Sequence, residues 1–251
     1  MAASINSSPV HRERDLLGPT VLVIGGSSGI GLQTARLARA KGADIILTAR
    51  DPDRLHYAGL ELGASIAAFD ATDFGRLGRF FDALPAPIDH LLVTGPGPHC
   101  APLAEFNLDT ARRDLDADLL LPLQVARYAA GKVRPGGTLL FMGTGSRRLA
   151  VGLALIAALT AALPAMIKSL ALEVAPVRVN LIAAGCVDTP LPASSLGDEI
   201  DKRRAQLRTT LPIGRVVGPA DIAALAVHLM TNTAITGATF DIDGGQQLIE
   251  R

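Results

Sequence analysis

The run Val21-Leu22-Val23-Ile24-Gly25-Gly26-Ser27-Ser28-Gly29-Ile30-Gly31 constrains this chain more than any other. Its apolar start reads as a strand, its glycines as a tight turn, and the amphipathic stretch Leu32 to Lys41 as the helix that follows. Glycine is needed where the backbone takes positive φ or where another group comes close to it. The helix then opens with unpaired N–H groups and the positive end of its dipole aimed at the turn. A pyrophosphate suits such a site, so the run predicts a dinucleotide-binding strand-turn-helix unit.

The rest of the chain repeats the alternation. Near-continuous apolar runs predict strands over Thr20–Ile24, Asp44–Thr48, Ser65–Phe69, His90–Thr94, Thr138–Met142, Val177–Ile182 and Ala238–Ile242. Helical segments fall between them: Leu32–Lys41, Arg54–Leu62, Phe74–Leu84, Thr110–Ala130, Gly152–Val174 and Ala220–Met230. This order predicts an α/β fold, a doubly wound (Rossmann-type), mostly parallel seven-stranded sheet with helices on both faces. The 251 residues suit one such domain, over 16–251, with no linker-like tract. The polar stretch 1–15 reads as a flexible extension, and 191–211, with its mixed charges, as a lid over a small-molecule substrate.

Composition removes several classes of function. Basic and acidic residues balance at 24 each, which argues against a dedicated nucleic-acid binder, since that would need a basic face. The two cysteines, Cys100 and Cys186, have no metal-ligand spacing, so no metal is expected and a reduced, cytoplasmic setting is. Leu149 to Ile167 is uncharged and long enough to cross a bilayer, but it is mostly alanine and holds Gly152, Thr160 and Pro164. It reads as a helix buried in a core or subunit contact, and no membrane association is expected. Pro164 cannot donate to the carbonyl of Thr160 and predicts a kink.

Taken together, the motifs resemble the short-chain dehydrogenase/reductase family from about Leu16 to Gln247. The family's Thr-Gly-x-x-x-Gly-x-Gly turn is Ile24 to Gly31, with only the leading threonine changed. Its Asp-Val-Thr-Asp run resembles Asp70-Ala71-Thr72-Asp73, and its Arg-Val-Asn to Asp-Thr-Pro block resembles Arg178-Val179-Asn180 through Asp188-Thr189-Pro190. Pro212-Ile213-Gly214-Arg215, Thr236-Gly237 and Asp243-Gly244-Gly245 also match. The resemblance places Gly25, Ser27, Ser28, Gly29, Ile30, Asp70, Ala71, Gly95, Val187 and Thr189 against the cofactor. It gives Asp70 the adenine amino group and Val187 and Thr189 the nicotinamide carboxamide. It also implies a homodimer or homotetramer built on the long helices flanking the fifth strand.

The second strand ends Leu47-Thr48-Ala49-Arg50. An NAD-type site places a carboxylate there for the ribose 2′-OH. Here that position is Ala49, and Arg50 offers a guanidinium suited to a 2′-phosphate, which favours NADP(H). The competing reading pairs Arg50 with Asp51 or Asp53.

The family's chemistry uses a tyrosine as proton donor, a lysine four residues later that lowers its pKa, and an earlier serine that polarises the substrate oxygen. Counting back from Ser169-Leu170-Ala171-Leu172-Glu173 puts Ile156 at the tyrosine position and Thr160 at the lysine position. The only tyrosines, Tyr57 and Tyr128, lie outside that helix. The serine position falls on Gly143 or Thr144, Asn-Asn-Ala-Gly becomes Thr94-Gly95-Pro96-Gly97, and the helix asparagine becomes Asp118. His99, on the loop after the fourth strand, is the candidate acid because imidazole titrates near neutrality. Thr144 is the candidate hydroxyl. Arg147 and Arg148 are oxyanion stabilisers or a solvated pair; Asp118 is a buried acid or a surface charge; Cys100 is a weak nucleophile candidate; Ser146 has no assigned partner.

Three functions stay open on these residues. One is an NADP(H)-dependent oxidoreductase with an unusual proton donor, acting on an activated double bond, imine or quinone. Another is a non-catalytic NADP-binding sensor or silent subunit. The third is a lyase or isomerase built on the same fold.

Overall fold

The computed structural model describes residue 16 and residues 18–84, 87–95, 97–144, 151–189 and 205–249. Strands and helices alternate: β1 (Thr20–Ile24), α1 (Gly29–Ala40), β2 (Asp44–Ala49), α2 (Pro52–Leu62), β3 (Ser65–Ala68), α3 (Phe74–Ala83) and β4 (Ile88–Val93). Then come α4 (Leu108–Leu115), a π-helical turn (Asp116–Leu120), α5 (Leu121–Ala129), β5 (Val133–Thr144), α6 (Ala154–Glu173), β6 (Arg178–Ala184), α7 (Pro219–Thr231) and β7 (Thr239–Ile242). The seven strands form one sheet in the order β3-β2-β1-β4-β5-β6-β7, and every pairing is parallel. The winding reverses between β1 and β4, so a crevice lies beyond the carboxyl ends of these two strands.

Alternate strand residues point to opposite faces, and each face has its own core. Val21, Val23, Ile45, Leu47, Leu92, Leu140 and Ile182 pack with α1, α2 and α7. Leu22, Ile24, Leu91, Val93, Leu139, Phe141, Val179 and Leu181 pack with α3, α5 and α6. Burial of each such side chain contributes roughly 1.5–3 kcal/mol. The helix α6 is long and apolar enough to cross a membrane by length and composition alone. It lies on the sheet instead, with Ile156, Leu159, Leu163, Ile167 and Leu170 buried, and it runs unbroken through Pro164.

A second proline reshapes the segment expected as one helix over Thr110–Ala130. Its start is earlier, at Leu108, where the Asn107 side chain accepts from the Thr110 N–H at 2.9 Å. Pro122 has no N–H for the carbonyl of Asp118, and the chain widens into the π turn over Asp116–Leu120 just before it. The strand β5 is longer than expected at both ends, and its start takes in Pro135, Gly136 and Gly137. Its register against β4 shifts between Ile88 and His90.

Buried polar groups lock the amino end of β6. Arg178 donates to the carbonyls of Leu229, Met230, Asn232 and Ile235 at the end of α7, to Gly136 O, and to the Thr138 hydroxyl. Asn180 donates to Ile235 O at 3.0 Å and accepts from the Ala238 N–H at 3.1 Å. The Arg178-Val179-Asn180 motif is therefore scaffold, remote from the carboxyl ends of the strands.

Candidate functional site

The glycine turn is tied to the strands on either side of it. The N–H groups of Gly25 and Gly26 donate to Thr48 O at 2.8 and 3.0 Å. The Thr94 N–H donates to Ile24 O at 2.9 Å, and its hydroxyl donates to Gly25 O at 3.1 Å. Gly25 has φ 86°, and a Cβ there would stand 2.5 Å from the Thr94 carbonyl oxygen. A Cβ on Gly31 would run into the carbonyl oxygen of Gly25. Both positions exclude any side chain. Ser28 precedes α1 in an extended conformation without a side-chain cap, and the first turn holds no acidic residue. The amino end of α1 is thus left as an anion-binding end. Gly29, at φ 54°, faces Thr189, whose Cγ2 would lie 3.5 Å from a Cβ there. The loop after β1 and the loop after β6 therefore meet.

The other expected cofactor contacts line the same edge. Ala49 ends β2 in the core while Arg50 is exposed beyond it. Asp51 caps α2 through the N–H groups of Asp53 and Arg54 and pairs with the Arg54 guanidinium at 3.2 Å. Among the described residues Arg50 makes no ion pair, so its expected competitor, Asp51 or Asp53, does not take it. Asp70 follows β3, exposed, with Oδ1 accepting from the Thr72 N–H at 2.9 Å and hydroxyl at 2.7 Å. Ala71 follows it, half-buried. Gly95 stands exposed after β4 with open space beside it. Thr144 closes β5 level with Ala184 of β6.

Val187 and Thr189 are held by the chain's C-terminal region. Val187 bridges Val217, and the Asp188 N–H donates to Val217 O at 2.8 Å. The Gln246 side chain accepts from the Cys186 N–H at 3.0 Å. A Cβ on Gly185 would come within 2.6 Å of Asp243 Cβ. Asp243 in turn is fixed by the N–H groups of Gly245 and Gln247.

His99 lies on the loop between β4 and α4, with two-thirds of its side chain exposed. Its Nδ1 is 2.7 Å from Asp114 Oδ1, and its backbone N–H donates to Asp114 Oδ2 at 2.9 Å. Asp114 belongs to α4 and is buried. The loop is pinned again where the Ala101 N–H donates to Gly152 O at 3.1 Å, ahead of α6. Asp118 sits in the π turn close to this pair. Burial, with the charge of Asp114 adding and that of His99 opposing, pushes its carboxyl up to about 6. Its Oδ2 is buried without a hydrogen-bond partner. No hydrogen bond joins His99 to Thr144 among the described residues.

A family model described as enoyl-(acyl carrier protein) reductase matches residues 25–247. The chain belongs to the short-chain dehydrogenase/reductase family. Short-chain dehydrogenase/reductase ATR9 of Stachybotrys chlorohalonatus is 28% identical over 91% of this chain and 96% of its own. The structure of MalC reductase/Diels-Alderase from Malbranchea aurantiaca superposes with a TM-score of 0.85 at 26% identity, covering 94% of this chain and all of that one. BdcA, solved in complex with NADPH, superposes with a TM-score of 0.81 at 27% identity, covering 91% and 94%. Proteins of this family act on small molecules.

The two residues reached by counting along the chain both lie on α6. Ile156, counted to the tyrosine position, is buried in the first turns of α6. Thr160, counted to the lysine position, has a buried hydroxyl without a partner. Sequence reasoning singled out His99 and Asp118 as candidates and did not single out Asp114, which the structure sets against His99. The one signal for it was an acid on the next helix with a histidine-bearing loop before it. Pro122, four residues past Asp118, was the signal for the π turn. Ser146, Arg147, Arg148 and residues 1–15 and 191–204 lie outside the described residues; 205–211 lead into the segment that reaches Val217.

Proposed function

We propose that this chain is an NADP(H)-dependent oxidoreductase of the short-chain type whose active site lacks the Tyr-Lys pair and uses His99 as proton donor. The observation that carries the cofactor reading is the cradle itself. Gly25 and Gly31 leave no room for side chains, α1 opens uncapped beside Thr189, and Arg50 stands exposed and unpaired where a 2′-phosphate would lie. The backbone N–H groups at Ser27 to Ile30 would hold the pyrophosphate, Arg50 the 2′-phosphate, Asp70, Ala71 and Gly95 the adenosine side, and Val187 and Thr189 the carboxamide. The NADPH complex of BdcA supports the same choice of cofactor. Bound there, the nicotinamide supplies a hydride to an electrophilic carbon of the substrate.

The chain's own part is to place that carbon and deliver a proton. Ile156 and Thr160 carry no acid, and His99 is an acid-base group on the loop that follows β4, one of the two strands between which the winding reverses. Thr144, at the end of β5, offers a hydroxyl to the substrate heteroatom. Such a site suits an activated double bond, imine or quinone. A second copy is expected on α6, whose Ala154, Ala158, Ala161, Ala162 and Ala165 form an exposed small-residue face, giving a homodimer or homotetramer. Ile156 and Thr160 also favour a second reading, a non-catalytic NADP-binding protein.

Fluorescence titration separates the readings from failure. NADPH should saturate the wild type and bind at least about tenfold more tightly than NADH, and Arg50→Ala should remove that preference. Equal affinities would refute the 2′-phosphate assignment. Oxidation of NADPH across a panel of enones, imines and quinones then supports the enzyme, and tight binding with no turnover on any of them supports the sensor.

A further inference from the structure

We infer that Asp114 is the positioning residue for His99, holding its ring in the Nδ1–H tautomer so that Nε2 is the nitrogen that delivers and regains the proton. The inference rests on His99 being the proton donor. It starts from an arrangement that a simple loop clamp does not require. One carboxylate oxygen is enough to hold the loop, and Oδ2 does this by accepting the His99 backbone N–H at 2.9 Å. The second oxygen goes to the ring, at 2.7 Å from Nδ1. Asp114 is 5% exposed, and no lysine or arginine pairs with it among the described residues. A carboxylate buried without a cation is costly, and here the imidazole is the group that compensates it.

The consequence for proton transfer follows from the ring's two nitrogens. A carboxylate only accepts, so it selects a proton on Nδ1 and leaves Nε2 to the substrate side. During reduction the hydride adds two electrons to the electrophilic carbon. The substrate heteroatom, or the carbon activated through it, takes the proton from Nε2–H of the imidazolium. The Nε2–H bond breaks, its electron pair stays on the ring, and the ring ends neutral with its hydrogen on Nδ1. That product tautomer is the one Asp114 stabilises, so no ring rotation or second proton shift is needed before water reprotonates Nε2. In the reverse direction the same neutral ring is ready as a base. Asp118 is the other titratable group facing this pair, from the π turn. Its Oδ2 is buried without a hydrogen-bond partner, and burial pushes its carboxyl up to about 6, whereas both oxygens of Asp114 are engaged by His99.

Asp114→Asn tests this directly. An amide has one accepting oxygen. If that oxygen keeps the His99 backbone N–H, the NH2 group must donate to Nδ1, and the neutral ring is driven to the Nε2–H tautomer. The readout is the pair of ring 15N chemical shifts of histidine-labelled full-length protein, with His99 assigned by its loss in His99→Gln. The wild type should show a protonated Nδ1 and a bare Nε2 in the neutral ring, and Asp114→Asn should reverse them. An Nε2–H ring in the wild type, or an unchanged tautomer in the variant, overturns the inference. NADPH oxidation with an acceptor found in the panel supplies the second arm. Asp114→Asn should lower kcat at least about tenfold with KM for NADPH unchanged, and His99→Gln should lower it at least as far. A reversed tautomer with wild-type kcat in Asp114→Asn, while His99→Gln is inactive, overturns the positioning role alone. Wild-type kcat in His99→Gln overturns the reading of His99 as proton donor, whatever the 15N shifts show.

Discussion

His90 predicts a specific acid response of the fold. It lies in β4, 8% exposed, level with Val21 of β1 and Thr138 of β5. Burial first, and the nearby Arg178 charge second, lower its pKa from 6.5 to about 4, with Asp89 opposing. Its Nδ1 has no hydrogen-bond partner. Below pH 6.5 the unfolded chain takes up a proton at this residue and the folded chain does not. Stability is therefore lost as pH falls through this window, and the loss is complete below about 4. At 1.36 kcal/mol per pH unit it amounts to roughly 3 kcal/mol. Asp118 acts in the opposite sense. Its carboxyl is raised from 3.8 to about 6, so the folded chain takes the proton first and regains stability over much of the same range. The wild-type profile should consequently look flat, and only a difference between proteins exposes the histidine. His90→Leu removes it at similar volume. Urea unfolding followed by circular dichroism, at fixed protomer concentration, should show His90→Leu gaining about 3 kcal/mol relative to wild type between about pH 7.5 and 4. Parallel profiles for the two proteins would refute the assignment of a neutral, buried His90.

Two further outcomes follow from the scaffold. Arg178→Met strips donors from the carbonyls of Leu229, Met230, Asn232 and Ile235 and should destabilise the fold by at least about 3 kcal/mol, lowering Tm by roughly 10 °C in a thermal melt. Ala165→Glu puts a charge on the exposed alanine face of α6 and should convert a dimer or tetramer to a smaller species by light scattering after size exclusion, with the NADPH affinity of the wild type; an unchanged mass would exclude that face as the contact.

Where sequence gave a reliable reading, the physics was local. β1 spans Thr20–Ile24 as expected, because an apolar run meeting a glycine turn has one backbone solution. The glycine cradle followed from residue type, since only glycine fits at Gly25 and Gly31. The position of Arg50, exposed just past β2, was legible because a strand end fixes where its next residue goes. The His99–Asp114 pair was not, because fifteen residues separate its members and a loop of Pro102-bearing chain decides which way the ring turns. In the sequence Asp114 is one charge among Arg112, Arg113 and Asp116. The π turn was missed for a different reason. Periodicity over Thr110–Ala130 stays helical to the eye, and the single absent N–H of Pro122 changes it by one residue. The early start of β5 was hidden by Pro135-Gly136-Gly137, residue types that weaken a strand pattern, although β5 already begins at Val133, level with Ile88.

On the function proposed above, these details explain how the chemistry of such a site changes while its cofactor cradle persists. The cradle depends on close approaches that only glycine allows, Gly25 against the Thr94 carbonyl and Gly185 against Asp243, with Gly29 beside the Thr189 side chain. The loop that carries Val187 and Thr189 is braced by Val217, Gln246 and Asp243, none of which belongs to α6. Arg178 and Asn180 secure the opposite end of β6. Replacing a side chain at Ile156 or Thr160 therefore disturbs no contact of the cradle. On the reading proposed here, the proton donor moved to a loop between β4 and α4, and the carboxylate that holds it came from a helix already packed on the sheet. A group on a loop needs such a fixed partner, because transfer requires the ring to hold one nitrogen towards the substrate. Asp114 supplies that fixity from a buried position, which is why the His99–Asp114 pair, rather than His99 alone, is the unit on which the proposed activity depends.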